Sequence, residues 1–391
     1  MKKFCNIIMI KYYVTNLLFF WFFVLKGDEN MIKISVVGAG NGGQALAGYL
    51  AMKGFDVSLF NRSRRRIYPI IQTRSIKIEG SVVEGEYKIS FATTKIDEAI
   101  KGRKLILIVV PAFAHKELAE KMVPFLEDGQ IIVLNPGRTG GALEFYNVLK
   151  SKGLKKDVII AEAQTFIFAS RMSNPGVTRI FRIKNAVPVS ALPASRNPEL
   201  AEILLQVMPE FDIVKSIIYT SFNNIAVVFH PATLILNAAR VETTAGKFEF
   251  YFEGISPSVA KVLEIIDEER CNVMKLFNAE PLTAKEWLSY AYDVEGNTLY
   301  EAIRNNEGYR GIYAPTSLNN RYLLEDVPMS LVPISSFGKE FGVDTPIIDS
   351  MINIANVMLD GNFWKIGRTV EDLGLKGKSI EDIIKFVEEG E

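Results

Sequence analysis

The stretch Gly38-Ala39-Gly40-Asn41-Gly42-Gly43 constrains this chain more than any other. It follows a β-branched run, Ile34-Ser35-Val36-Val37, and opens a helical stretch over residues 44–53. The spacing is G-x-G-x-x-G in a strand–turn–helix setting, and each glycine has its own physical duty. Gly38 permits the tight turn, Gly40 lets the backbone approach a pyrophosphate, and Gly43 lets the helix lie close on the strand. With Asn41 and Gly42 they present free N–H groups and the positive end of the helix dipole to an anion. The expectation is dinucleotide binding; a glycine-rich turn kept for packing alone is the competing reading.

The neighbouring sequence fits that expectation. Apolar runs at residues 34–37, 56–60, 105–110, 131–134 and 158–161 alternate with helical stretches. Runs that are apolar on both faces suit a parallel sheet covered on each side. The fold class expected is an α/β Rossmann domain with a doubly wound, mostly parallel sheet, over residues 31–217. Beyond it the β-branched runs give way to helical periods, as at 259–266 and 347–359, with Pro257 and Pro346 near their starts. Residues 218–391 therefore read as an all-α C-terminal domain. The chain carries no net charge, 45 basic residues balancing 45 acidic ones, which gives no support for a nucleic-acid partner. At 48% hydrophobic and 23% charged it is neither disordered nor a disulfide scaffold.

Residues 1–30 stand apart. An apolar run over 16–25 lies behind Lys2 and Lys3, but no small-x-small cleavage site follows it. Lys11 interrupts it short of the roughly 20 residues a span requires, although a span over 5–25 stays open. The extension reads as a misassigned start codon ahead of Met31, or else as an uncleaved anchor, in which case a membrane becomes a partner. Two distant cysteines, Cys5 and Cys271, suggest a cytoplasmic body.

The end of the second strand selects the cofactor. An acidic residue there would bind a free ribose 2′-hydroxyl. This chain has Asn61-Arg62-Ser63-Arg64-Arg65-Arg66, and Asp56 comes too early. Asn61 and Arg62 are assigned to the cofactor site, and NADP(H) is expected ahead of NAD(H) because arginine pairs with a 2′-phosphate. A solvated basic helix start is the bland alternative. Two further strand ends, at Val110-Pro111 and at Asn135-Pro136-Gly137, face the same crevice and are assigned to the cofactor as well, unless they are ordinary proline turns.

Two histidines limit the acid–base chemistry to His115 or His230, and with two cysteines they form no metal-binding spacing, so no metal is expected. His230 precedes Pro231, whose ring frees a carbonyl and bends a helix beside the imidazole. That makes it the candidate proton donor and acceptor, against the reading of a satisfied core histidine. Among the carboxylates of the second half, spacing alone does not select Asp326 over Glu325 or Glu242. Arg321 is a candidate partner for a substrate carboxylate, with a structural role as the alternative.

Taken together, the chain resembles the opine dehydrogenase family, the octopine/nopaline dehydrogenases, and especially bacterial members that join pyruvate to norvaline-type amino acids. The resemblance runs from about Met31 to the C-terminus. It is carried by Gly38 to Gly43, by 135–145, by His230-Pro231 with 236–240, by 309–312, by 320–327 and by 331–334. It implies a catalytic pair of His230 and Asp326 in a cleft between the two domains. It also implies that Asn135 and the 162–171 segment, with Thr165 and Arg171, line the nicotinamide and 2-oxo acid pocket, and that Trp287 lies near the amino-acid substrate. This chain departs from the pattern at Asn61, where the similar bacterial enzyme is acidic, and at Ser170, where relatives have cysteine.

The resemblance implies NAD(P)H-dependent reductive condensation of a 2-oxo acid with an amino acid's amine, through an imine. The partners are then two small molecules, and a homodimer is compatible with the sequence. Rival readings are a simple 2-oxo acid or ketopantoate-type reductase, and a non-catalytic NADPH-binding regulator.

Overall fold

A computed structural model describes residues 31–80 and 82–390. The extension over residues 1–30 and both readings of it lie outside the described residues. Twelve strands are described: β1 (Lys33–Val37), β2 (Asp56–Phe60), β3 (Ser75–Glu79), β4 (Gly85–Lys88), β5 (Phe91–Thr93) and β6 (Leu105–Ile108), then β7 (Ile131–Leu134), β8 (Ile159–Ala163), β9 (Phe168–Asn174), β10 (Val177–Ile183), β11 (Val187–Leu192) and β12 (Phe211–Ile213). Eight of them form one sheet in the order β12-β11-β8-β7-β6-β1-β2-β5. All neighbours run parallel except β11 against β8.

Val36 of β1 stands opposite both Leu59 and Leu107, so the order of the strands turns about β1. Crossover helices cover both faces: α1 (Asn41–Met52), α2 (Arg64–Thr73), α3 (Ile96–Ile100), α4 (His115–Met122), α5 (Gly141–Ser151) and α6 (Asn197–Val207). Alternation along the strands divides the core. Ile34, Val36, Leu107 and Val133 pack on one side with Leu46 and Leu50 of α1. Val37, Ile106, Ile108 and Leu134 face the other side, where the apolar cluster continues without a break into the helical half through Phe222, Val228 and Phe229. That shared core fixes the helical layer over the crevice at the strand ends.

The helical half comprises α7 (Ile217–Phe222), α8 (Ala226–Leu236), α9 (Ala238–Thr244), α10 (Pro257–Lys275), α11 (Ala284–Tyr292), α12 (Leu299–Asn305), α13 (Arg321–Leu324), α14 (Val332–Phe341), α15 (Pro346–Met358), α16 (Phe363–Ile366) and α17 (Ile380–Glu389). After β12 the described backbone holds only an isolated bridge between Glu249 and Tyr313. Helix α10 starts where Ser256 accepts the Val259 amide and Pro257 takes the first position, which has no N–H to lose. Among the described residues no single helix is long and apolar enough to cross a membrane.

Three features were not expected from the sequence. A second sheet, β4-β3-β10-β9, packs on α1, where Gly48 lets Ile76 approach closely. Its strands are half-exposed and polar, so they lack the continuous apolar runs of the main sheet. The run at 105–110 leaves the sheet after Ile108 and turns into the crevice. The C-terminal helix α17, assigned by sequence to the helical half, returns to the nucleotide-binding half: Phe386 packs edge-on against Tyr146, and Glu388 pairs with Lys215.

Candidate active site

Helix α1 begins at Asn41, and its first turn carries no acidic side chain to occupy the positive end of the dipole. A Cβ on Gly43 would stand 1.6 Å from the Gly38 carbonyl oxygen, so only glycine lets helix and turn close together. Over Gly40 the nearest atom is Arg66 Nη1 at 4.0 Å, which leaves space for a ligand's phosphates beside a guanidinium. Asn61 Oδ1 accepts the Ala39 amide at 3.1 Å, and its Nδ2 donates to Ser63. The side chain at the selective strand end is thus committed to the loop and carries no charge. Arg62 is exposed and pairs with Glu117 at 3.2 Å, a contact that solvent makes weak and exchangeable.

The hairpin of β9 and β10 braces this loop. Ser170 Oγ donates to the Asn41 carbonyl at 3.3 Å, and the Met172 amide donates to Asn41 Oδ1 at 3.0 Å. Arg171 lies between them, exposed. Asn135 is buried; its Nδ2 donates to Val133, while its Oδ1 has no hydrogen-bond partner. A buried acceptor of that kind suits a carboxamide N–H donor such as the nicotinamide carries. Val110 is half-buried and Pro111 exposed at the neighbouring strand end, and Thr165 is half-buried in the connection before β9. Open space over Gly40, a free helix N-terminus and an orphaned acceptor at Asn135 together fit a dinucleotide.

His230 lies inside α8, immediately before Pro231. Its Nδ1 is 2.7 Å from Asp326 Oδ2 and its Nε2 is 3.1 Å from Tyr251 Oη. The Tyr322 ring stacks on the imidazole at 4.0 Å. Asp326 is fully buried and directly precedes a π-helical turn, Val327–Leu331, that follows α13. Such a turn shifts the helical register by one residue and commonly marks a functional position. Arg138 holds the other carboxylate oxygen: its Nη1 is 3.2 Å from Asp326 Oδ1, and its Nε is 3.3 Å from Glu325 Oε1. Arg138 has a left-handed backbone, with φ of 61°, a strained conformation for a side chain of this size.

Glu325 joins the two halves. It accepts the Ala112 amide at 3.1 Å, and its Oε2 pairs with Arg321 Nε at 3.1 Å. Burial alone would push its carboxyl up, but Arg138 and then Arg321 outweigh that and bring it down to about 2. Arg368 donates to the Gly137 and Thr139 carbonyls and pairs with Glu144, tying the loop after Asn135 to the C-terminal segment.

Burial pushes His230 below its ordinary 6.5, with Asp326 acting in the opposite direction. Burial also lifts the Tyr251 phenol well above its ordinary value, so it stays protonated as a hydrogen-bond donor. His115 is fully buried at the start of α4, and burial followed by the charge of Arg368 lowers it to about 3. Of the two histidines, only His230 is suited to carry a proton near neutrality.

Comparison with known proteins identifies the family of both halves of the chain. Residues 213–359 match the family described as NAD/NADP octopine/nopaline dehydrogenase, alpha-helical domain, and residues 33–160 match NAD-dependent glycerol-3-phosphate dehydrogenase N-terminus. An opine dehydrogenase of Arthrobacter sp. (strain 1C) is 39% identical, over 90% of this chain and 98% of its own. The chain belongs to the opine dehydrogenase family. These are NAD(P)-dependent oxidoreductases acting on CH–NH groups. The fold is shared by octopine dehydrogenase solved with NADH and L-arginine, at a TM-score of 0.75 and 22% identity, over 90% of this chain and 98% of that one. It is also shared by yersinopine dehydrogenase with NADP+ bound, at 0.68 and 14%, over 92% and 98%.

In this opine dehydrogenase family member the structure brings together His230, Asp326 and Arg321. Trp287 is buried in α11, its ring 6.5 Å from Phe229, the residue before His230, and 5.4 Å from Tyr292. Sequence reading missed Arg138 and Tyr251. Nothing in the spacing singles out Tyr251, whereas Arg138 stands beside the cis Asn135–Pro136 peptide in a stretch the family shares.

Proposed function

We propose that His230 and Asp326 are the acid–base pair of an opine dehydrogenase that condenses a 2-oxo acid such as pyruvate with an amino acid. The observation that carries this reading is the 2.7 Å contact between His230 Nδ1 and a buried Asp326 at the mouth of a dinucleotide crevice. Asp326 fixes the tautomer, keeping the proton on Nδ1 and leaving Nε2 to exchange one. The amine adds to the oxo carbon to give a carbinolamine. His230 protonates the departing hydroxyl from Nε2, and loss of water leaves a protonated imine. NAD(P)H, held at the phosphate loop and Asn135, would supply a hydride to the carbon of that protonated imine, whose nitrogen already carries the proton of the secondary amine flanked by two carboxylates.

Arg138 stays outside this exchange because it is buried against Glu325, Asp326 and the Asn224 side chain. Its role is to hold the Asp326 side chain in place from the side opposite His230. Arg321 is the partner for a substrate carboxylate, since more than half its side chain is exposed and its one ion pair leaves donors free. Thr165 and Arg171 line the 2-oxo acid side of the cleft. NADP(H) is the preferred cofactor: Asn61 is neutral, and Arg62 and Arg66 flank the phosphate loop. The enzyme works in the cytoplasm.

The test is cofactor oxidation by the purified protein with pyruvate alone, then with pyruvate and pooled amino acids. Oxidation that requires the amine, and disappears in His230→Gln while NADPH still binds, is the expected result. Equal oxidation by pyruvate alone identifies a simple 2-oxo acid reductase and overturns the reading.

A further inference from the structure

The reaction needs one atom of His230 to exchange a proton, and in the structure that atom is already engaged. Nδ1 faces Asp326 at 2.7 Å, so the mobile proton belongs to Nε2, and Nε2 faces Tyr251 Oη at 3.1 Å. An imidazole nitrogen has a single in-plane direction for its proton or lone pair, and Tyr251 occupies it. One face of the ring is closed as well, by Tyr322 stacked on it at 4.0 Å.

Tyr251 is locked in this position. It is buried in the connection between α9 and α10, where Tyr309 stacks on its ring at 4.1 Å and the rings of Phe250 and Phe229 meet it edge-on. Swinging the phenol off Nε2 breaks those contacts. A hydroxyl has one proton to give and lone pairs to receive another, and among the described residues no group other than His230 bonds this one. When His230 is neutral the phenol donates to Nε2. When His230 is protonated Nε2 donates to Oη, and the phenolic proton is free for a substrate. Arg321, the partner for a substrate carboxylate, directly precedes Tyr322 and so holds that substrate beside the same imidazole.

We propose that Tyr251 is a catalytic residue, the relay through which the proton of His230 Nε2 reaches the carbinolamine hydroxyl. The proposal rests on the reductive-condensation reading above. As the carbinolamine C–O bond breaks, its electron pair stays on oxygen, the Tyr251 O–H bond gives that oxygen its proton, and water departs. Tyr251 Oη takes the proton from Nε2 in the same step, so no phenolate accumulates. His230 is left neutral, with its other proton on Nδ1 toward Asp326. The lone pair of the amine nitrogen closes the C=N bond of the protonated imine.

Tyr251→Phe keeps the ring and deletes the hydroxyl. It is compared with wild type in NADPH oxidation with pyruvate and norvaline, in mixtures of H2O and D2O. The relay predicts a kcat lower by about a hundredfold or more, with NADPH affinity and Tm unchanged. It also predicts that wild-type kcat falls along a curve as the deuterium fraction rises, because two protons move in one step. The residual rate of Tyr251→Phe then falls along a straight line. Direct donation from Nε2 predicts that deleting the hydroxyl uncovers the nitrogen and that kcat holds or rises, which overturns the proposal. A lowered kcat with a straight-line dependence in the wild type leaves Tyr251 a structural role only and overturns it too. Should Tyr251→Phe fail to fold, the shape of the wild-type dependence decides alone. Product mass scores the condensation separately. Lactate made without the amine removes that reading, while a curved wild-type dependence with turnover lost in Tyr251→Phe still supports the relay, its proton then going to the carbonyl oxygen.

Discussion

Arg138 Nη1 lies 3.2 Å from Asp326 Oδ1, on the carboxylate whose other oxygen binds His230. A buried guanidinium from the nucleotide-binding half thus fixes the group that fixes the catalytic imidazole. Removing one partner of a buried pair leaves the other charge uncompensated, at roughly 3–5 kcal/mol. Arg138→Met, which leaves the buried Asp326 with His230 alone and Glu325 with Arg321 and the Ala112 amide, is therefore expected to lose about that much in a denaturant melt, and Arg138→Lys clearly less. A Met variant as stable as wild type would show that the network contributes little.

Asp326→Asn removes the preference for a proton on Nδ1 and should lower turnover about a thousandfold or more, by analogy with the serine-protease aspartate. NADPH affinity should stay near wild type, because the phosphate loop is held by Asn61 and β9. The comparison of steady-state rate with cofactor titration separates the two effects.

In opine oxidation His230 must be neutral to accept a proton. The acidic limb of kcat/KM is expected to fall through a pKa below 6.5, since burial lowers it more than Asp326 raises it. Asp326→Asn removes the raising influence and should move the limb to still lower pH. A limb above 6.5 in the wild type would show that His230 is not the titrating base.

The sheet, the phosphate loop and the location of His230 were legible because they depend on local pattern: apolar runs, glycine spacing and a proline beside the imidazole. Asp326 was not singled out by spacing, since what separates it from Glu325 is its 2.7 Å contact with His230, 96 positions earlier in the chain. Tyr251 was invisible, and Arg138 passed over within a stretch the family shares, for a similar reason. Their roles come from contacts across the chain, 188 residues in the first case (326 − 138) and 21 in the second. The second sheet escaped notice because β9 and β10 mix charged and apolar residues on half-exposed faces.

Stability should fall in acid in two stages. The unfolded chain protonates His115 below about 6.5, whereas the folded protein resists until about 3, so stability drops as pH falls from 6.5. Glu325 adds a second loss of the same sign between 4.5 and about 2. Urea midpoints measured across this range should decline, and His115→Asn should reduce the upper stage, to which His230 also contributes, while leaving the lower one.

Asn61→Asp restores an acidic residue at the end of β2 and keeps the acceptor for the Ala39 amide. Repulsion of a 2′-phosphate and a new bond to a free 2′-hydroxyl, each about 1.5–3 kcal/mol, should shift the NADPH/NADH ratio of kcat/KM at least tenfold toward NADH. An unchanged ratio would locate cofactor selection elsewhere.

The most direct test of the central claim is the mass of the product formed from pyruvate, norvaline and NADPH. Reductive condensation predicts one new species, the sum of both substrates less water plus two hydrogens, absent with His230→Gln. Lactate as the product, with norvaline unconsumed, would contradict the account.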